Sequence, residues 1–166
     1  MTKARRQNPN DPERERLRGL LDELARVYRD VDAAYAGYRC PSSTECCRFG
    51  VTGREPYVTS IELEAVNRGI ARRGGPLSAK RRALPLFRET HVDERVCPLL
   101  DQHGHCSIYE ARPLGCRSFW CDRAETPIDA VHRDTLAAFV RRIQEIAARH
   151  ERDGERGRPL TRAVPG

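Results

Sequence analysis

The stretch from Cys97 to Cys121, CPLLDQHGHCSIYEARPLGCRSFWC, constrains this chain more than any other, since four of the seven cysteines fall within it. Its first half has the pattern of a short β-hairpin, Cys97-Pro-Leu-Leu followed by Asp101-Gln-His-Gly104 and His105-Cys106-Ser-Ile-Tyr109. Gly104 can take the positive φ that a tight loop requires. Strands beside such a loop lie about 5 Å apart, which predicts that Cys97 comes close to Cys106. Arg112-Pro113 then turns the chain back toward Cys116. Thiols converging from several directions make the geometry of a metal site.

The compartment decides between a metal and a disulfide framework. The N-terminus is charged and lacks an apolar h-region, and no run approaches the ~18 apolar residues of a spanning helix, so a cytoplasmic chain without membrane contact is expected. Thiols stay reduced there, and an odd number of cysteines argues the same way, so metal binding is the expected use. The 166 residues, with 39% hydrophobic and 33% charged, fit one domain with a modest core. Net charge is +6, but basic residues are spread along every segment, and the few aromatics do not interleave with them. That pattern fits a solvated surface better than a specific nucleic-acid interface.

In chain order, residues 1–10 are polar and expected to be disordered. Asp11-Pro12 then opens a helix over about 12–36, with Leu17, Leu20, Leu21, Leu24, Val27, Tyr28, Val31, Ala34 and Tyr35 at helical spacing and Gly37 as a stop. Residues 51–58 can hold a short extended piece. Thr59 and Glu62 form a capping box for a second helix through Leu63, Val66, Ile70 and Ala71, ended by Gly74-Gly75. The basic stretch 77–90 has room for one short helix broken at Pro85. Thr126-Pro127 opens a last helix that turns Ile128, Val131, Leu136, Phe139, Val140, Ile143, Ile146 and Ala147 inward. Residues 151–166 lose apolar periodicity and read as a flexible tail, which leaves 11–150 as the cysteine-cluster domain. The expected fold class is mainly α: a small single domain of three to four helices, with a short β-hairpin and Cys-bearing loops forming a metal site.

The candidate metal ligands are all seven cysteines: Cys40, Cys46, Cys47, Cys97, Cys106, Cys116 and Cys121. Cys97, Cys106 and Cys116 are expected to share one centre, with Cys46 or Cys47 as the fourth ligand. In an extended segment adjacent side chains point opposite ways, so only one of that pair would face the metal. Four thiolates carry more negative charge than a zinc ion cancels, and Arg112, Arg117 and Arg48 beside the cysteines can offset the excess. Arg112 reads equally well as a solvent-facing cap of its turn. His103 and His105 are possible nitrogen ligands, although His103 reads more simply as an exposed turn residue. Cys121 reads equally as a small buried hydrophobe. Ile108, Tyr109, Phe119 and Trp120 are expected to form an apolar cluster that buries the site.

These residues resemble the YkgJ-type cysteine-cluster family, the CxxCxxCC proteins, described as zinc- or iron-chelating domains. The likeness is carried by Cys40 with Cys46-Cys47, the Thr59–Ala65 helix start, Cys97-Pro-Leu-Leu, Cys106-Ser-Ile-Tyr109, Arg112-Pro113 and Cys116-Arg117. It covers roughly residues 35–125. Ser43 stands where the family usually has its second cysteine. The resemblance implies metal chelation, and similarity to a domain in a flagellin lysine methylase adds a hint of catalysis.

The metal is expected to be an iron–sulfur cluster or zinc, with the cluster slightly favoured. Zinc knuckles use pairs separated by two to four residues, whereas Cys40–Cys46, Cys97–Cys106 and Cys106–Cys116 are separated by five, eight and nine, and only the four of Cys116–Cys121 fits. Three functions follow: a metal-binding protein whose centre organises the fold or relays metal, a redox or protein-modifying enzyme using that centre, or an interaction or nucleic-acid module with structural zinc. The sequence has no phosphate loop, no dinucleotide fingerprint and no convincing acid–base pair, which weighs against the second.

Overall fold

The computed structural model describes residues 11–37, 44–76, 95–118 and 130–164. The fold is mainly helical, with six α-helices among the described residues. Helix α1 spans Pro12–Ala34; the Asp11 side chain accepts from the Glu13 N–H at 3.1 Å, as its N-cap position predicts. Helix α2, Phe49–Thr52, is a single turn, and strand β1 follows at Tyr57–Val58. Helix α3 is Ser60–Arg72, started by the Thr59–Glu62 capping box and ended at Gly74 and Gly75, both at positive φ. Helix α4 is the turn Leu114–Arg117, and α5 is the long helix Ala130–His150. Strand β2, Arg158–Pro159, and helix α6, Leu160–Ala163, complete the chain.

Helices α1, α3 and α5 pack mutually around Leu24, Val27, Val31, Ile61, Ile143 and Ile146. The inward stripes of α1 and, from Leu136 onward, α5 match their sequence pattern, with two corrections: Ala34 and Val140 are exposed; Ile128 and the Val131 side chain lie outside the described residues. A second apolar cluster lies on the other side of α3, formed by Phe49, Val58, Val66, Leu99, Leu100, Ile108 and Leu160. Helix α3 serves both, with Ile61 in the first cluster and Val66 in the second. The cysteines belong to the second layer.

Two expectations change here. Residues 158–164 are no flexible tail. Strand β2 pairs antiparallel with β1, and Leu160 and Val164 are buried. The Leu160 N–H donates to the Pro56 carbonyl at 2.9 Å, and Glu55 accepts from the Thr161 N–H at 2.8 Å and from its hydroxyl at 2.6 Å. A short segment shows no periodicity, yet its backbone groups and two apolar side chains suffice to dock it. The cysteine hairpin is correspondingly smaller than expected, a turn closed by one bridge between Leu100 and Cys106. The two-stranded sheet is instead β1 with β2, far apart in sequence. The expected start of the last helix at Thr126-Pro127, the short helix in 77–90 and the N-terminal residues 1–10 all lie outside the described residues.

Candidate metal centre

Four separate segments bring thiols to one place. The first is the single 3₁₀ turn Glu45–Cys47, entered through Thr44 at φ +56. Left-handed backbone is costly for a β-branched residue, so this turn is imposed by its surroundings. In a 3₁₀ turn adjacent side chains do not alternate, and Cys46 Sγ and Cys47 Sγ lie 3.9 Å apart. The expectation that only one of the pair faces the site is thereby corrected: both line the same cavity. That separation is close to the ~3.8 Å edge of a tetrahedron of sulfurs about 2.3 Å from a zinc ion.

The second segment is 95–97, which pairs with the turn. Phe49 N–H donates to Arg95 O at 2.7 Å, Cys97 N–H donates to Cys47 O at 2.8 Å, and Arg48 bridges Val96. This non-local pairing seats Cys97 beside Cys47. Cys106, the third, is placed by the turn before it. Gly104 has φ +77, its N–H donates to Asp101 O, and the Asp101 carboxylate accepts from the His103 and His105 N–H groups at 2.8 and 2.9 Å. Burial raises the Asp101 carboxyl's pKa, but these two backbone bonds outweigh it and leave the pKa lowered. Ser107 then returns its N–H and hydroxyl to Leu99 O.

Cys116, the fourth, is on α4. The buried Glu62 carboxylate accepts from the Leu114 N–H at 2.8 Å, from the Tyr28 hydroxyl and from the Thr59 N–H and hydroxyl. One carboxylate thus joins α1, α3 and α4. Gly115 lets the turn close on Pro56, because a Cβ there would come within 2.9 Å of the proline's Cβ.

Cys46, Cys47, Cys97, Cys106 and Cys116 all line a cavity of about 560 Å³, walled otherwise mainly by apolar side chains such as Phe49, Leu99, Ile108 and Leu160. All five are free thiols. Among the described residues, no group of three or more Cys, His, Asp or Glu is drawn tightly enough to grip an ion as it stands. The thiols ring a space instead of closing on a point. Their chemistry still fits a thiophilic metal: five soft donors, low solvent access and flanking guanidinium groups. Cys40 and Cys121 lie outside the described residues.

The electrostatics show what a metal has to overcome. The Cys46 thiol is pushed up by its contact with Cys47 and by burial, and the Cys116 thiol by burial followed by repulsion from Cys47, Cys106 and Cys46. At Cys47 the bond from Cys46 lowers the pKa, but Cys97 and burial prevail and push it up to about 12. Burial also raises Cys106, against the backbone of Ile108 and the charge of Arg112. Without a cation these thiols hold their protons, and binding a metal must release them.

The three arginines singled out in the sequence part company. Arg112 stacks over the Tyr109 ring at 3.5 Å and favours the charged forms of Cys46, Cys106 and Cys116. Arg117 is spent elsewhere. Its Nη1 donates to both Asp32 oxygens at 2.9 and 2.8 Å, its Nε to Arg112 O, its Nη2 to Glu110 O, and its guanidinium covers Tyr28. It ties the Cys116 turn to α1 and offers none of these bonds to sulfur. Arg48 contributes through backbone pairing with Val96. His103 is exposed at the turn tip, and His105 is exposed on the cavity wall. Ile108 is buried as expected, but Tyr109 is 51% exposed, a correction explained by the Arg112 guanidinium covering its ring. Phe119 and Trp120 are outside the described residues.

Fold and site together define a small, mainly helical cysteine-cluster domain. A family model matches residues 39–133, more than half of the chain, and its description is "CxxCxxCC: Putative zinc- or iron-chelating domain". The protein belongs to this CxxCxxCC family. No curated protein and no solved structure matches the chain. No helix among the described residues is long and apolar enough to cross a membrane.

Proposed function

We propose that the protein binds a metal centre through its clustered thiolates, and that the centre is an iron–sulfur cluster in preference to a single zinc. One observation carries this reading: five thiols from four segments line one cavity of about 560 Å³. A lone zinc is closed by four ligands at about 2.3 Å and needs neither the fifth thiol nor the space. A cluster held by four thiolates uses both. The long gaps between cysteines point the same way. Cys97, Cys106 and Cys116 with Cys46 or Cys47 are the ligands of this reading, and Arg112 offsets their charge. Its setting is the reducing cytoplasm, where such thiolates persist.

The same cavity favours a second reading, a modifying enzyme. Its volume lies in the range of small-molecule sites, about 300–1,000 Å³, so an organic substrate could sit beside the centre.

Anaerobic purification from iron-replete cells, with metal and sulfide analysis and a visible spectrum, separates the possibilities. A cluster gives a brown protein with broad absorption near ~400 nm that dithionite bleaches, because iron is redox-active and zinc is not. Colourless protein with stoichiometric zinc and no sulfide would replace the iron reading with structural zinc.

A further inference from the structure

We propose that Arg73 belongs to the metal centre: its inward N–H is held in reserve for the thiolate of Cys106 and donates to it when the centre is loaded. This rests on the metal-binding reading above. Arg73 follows the last turn of α3, its backbone N–H bonded to Gly69 O. That turn is pressed onto the segment just after Cys106, since a Cβ at Gly69 would stand 2.9 Å from the Ala111 Cβ and 3.4 Å from Ile108. Ile70 packs in the same apolar cluster as Ile108 and Cys106. Arg73 follows Ile70 by three positions and so continues the face of α3 that meets this cluster, within electrostatic reach of Cys106.

The state of its Nε is the decisive observation. This atom is buried and has no hydrogen-bond partner among the described residues. More than nine in ten buried polar groups are paired, so an orphan donor asks for an acceptor. The neighbouring guanidinium groups are already engaged: Arg112 Nε donates to Tyr109 O and Arg117 Nε to Arg112 O. The Cys106 thiol is a poor acceptor while protonated and a strong one as a metal-bound thiolate. The charges balance as well. Four thiolates around a doubly positive centre leave two negative charges, and Arg73 with Arg112 supplies two positive ones.

The proposal predicts opposite signs for two measurements on one variant. In Arg73→Met the apo protein should melt at the wild-type temperature or above it, because a buried unpaired donor has been removed. Its affinity for metal should fall about 10- to 100-fold, the usual loss when a partner of a ligand is removed. Co²⁺ serves as the probe, titrated anaerobically against a competing chelator and read by the thiolate-to-cobalt charge-transfer band. Arg73→Lys, which keeps the charge without the fork, should fall between the two. In a Cys106→Ser background the substitution should change nothing further. Wild-type Co²⁺ affinity in Arg73→Met overturns the role of Arg73 alone, and so does an apo protein destabilised as much as binding is weakened. Wild-type protein that shows no charge-transfer band with Co²⁺ and takes up neither zinc nor iron overturns the metal reading, and this inference with it.

Discussion

Where the three long helices meet, Leu24, Val31, Ile61 and Ile143 close on one another over many turns. Where the cysteines gather, the segments are a turn or less in length and are joined by individual polar bonds: Cys97 to Cys47, Leu114 to Glu62, Thr161 to Glu55. The helical side is stabilised by apolar area. The cysteine side has few long elements, so its order depends on borrowed support from α3, from the C-terminal segment and, in the proposed reading, from metal. A small layer of this kind is where a bound ion contributes most to folding.

The sharpest way to test that contrast is to damage each side once. Cys106→Ser, or the same change at Cys97 or Cys116, should sharply lower metal content. It should also cost a large part of the bound metal's stabilisation, which is about 10–16 kcal/mol for structural zinc in peptide systems. Leu24→Ala should cost about 3 kcal/mol in thermal or urea unfolding and leave metal stoichiometry unchanged. Full occupancy in Cys106→Ser, or metal loss in Leu24→Ala, would erase the distinction.

Glu62→Ala attacks the joint between the two sides. It strips the acceptor from Tyr28, Thr59 and Leu114, leaving buried donors unpaired, and should cost about 3 kcal/mol. Because the Leu114 bond seats the Cys116 turn, metal affinity should fall together with stability. A loss of stability with unchanged affinity would mean that α4 is held by its own packing.

Leu160→Ala probes the C-terminal support. A fully buried leucine truncated to alanine costs about 2–5 kcal/mol, and this position is expected near the lower end because its helix has a single turn. Hydrogen exchange should rise at Tyr57–Val58, the strand that β2 covers, while α1 and α5 stay protected. Unchanged exchange there would return 158–164 to the status of a tail.

The smallest effect belongs to the helical surface. A hydrogen bond from Arg149 holds the Glu23 carboxyl below its usual range. A depressed carboxylate contributes stability that is present above the unfolded value, about 4.3, and is lost as pH falls through the folded one. The pair is exposed enough that the change should stay below about 1 kcal/mol. Glu23→Gln should flatten that acid limb of the stability curve without touching metal uptake.

The sequence by itself determined whatever repeats or caps locally. The stripes of α1 and α5, the Asp11 cap, the Thr59–Glu62 box, the glycine end of α3 and the positive φ of Gly104 are properties of neighbouring residues; the caps and turn are found where the spacing puts them, and the described part of the stripes departs from it only at Ala34 and Val140. The cysteine count and the Cys97–Cys116 pattern likewise announced a thiol-rich site. Tertiary structure alone decided how the site is assembled. Whether Cys46 and Cys47 diverge or converge depends on a 3₁₀ turn stabilised by residues 95–97, about fifty positions away. That Arg117 serves Asp32, while the buried Arg73 Nε has no partner among the described residues, follows from which helices lie alongside them. Residues 158–164 carry too few apolar side chains to show a period, and only the waiting backbone of β1 and the carboxylate of Glu55 make them part of the domain. Local rules act over one or two turns of chain, whereas a metal site needs donors from distant segments, and their meeting is fixed by packing and by the pairing of buried polar groups.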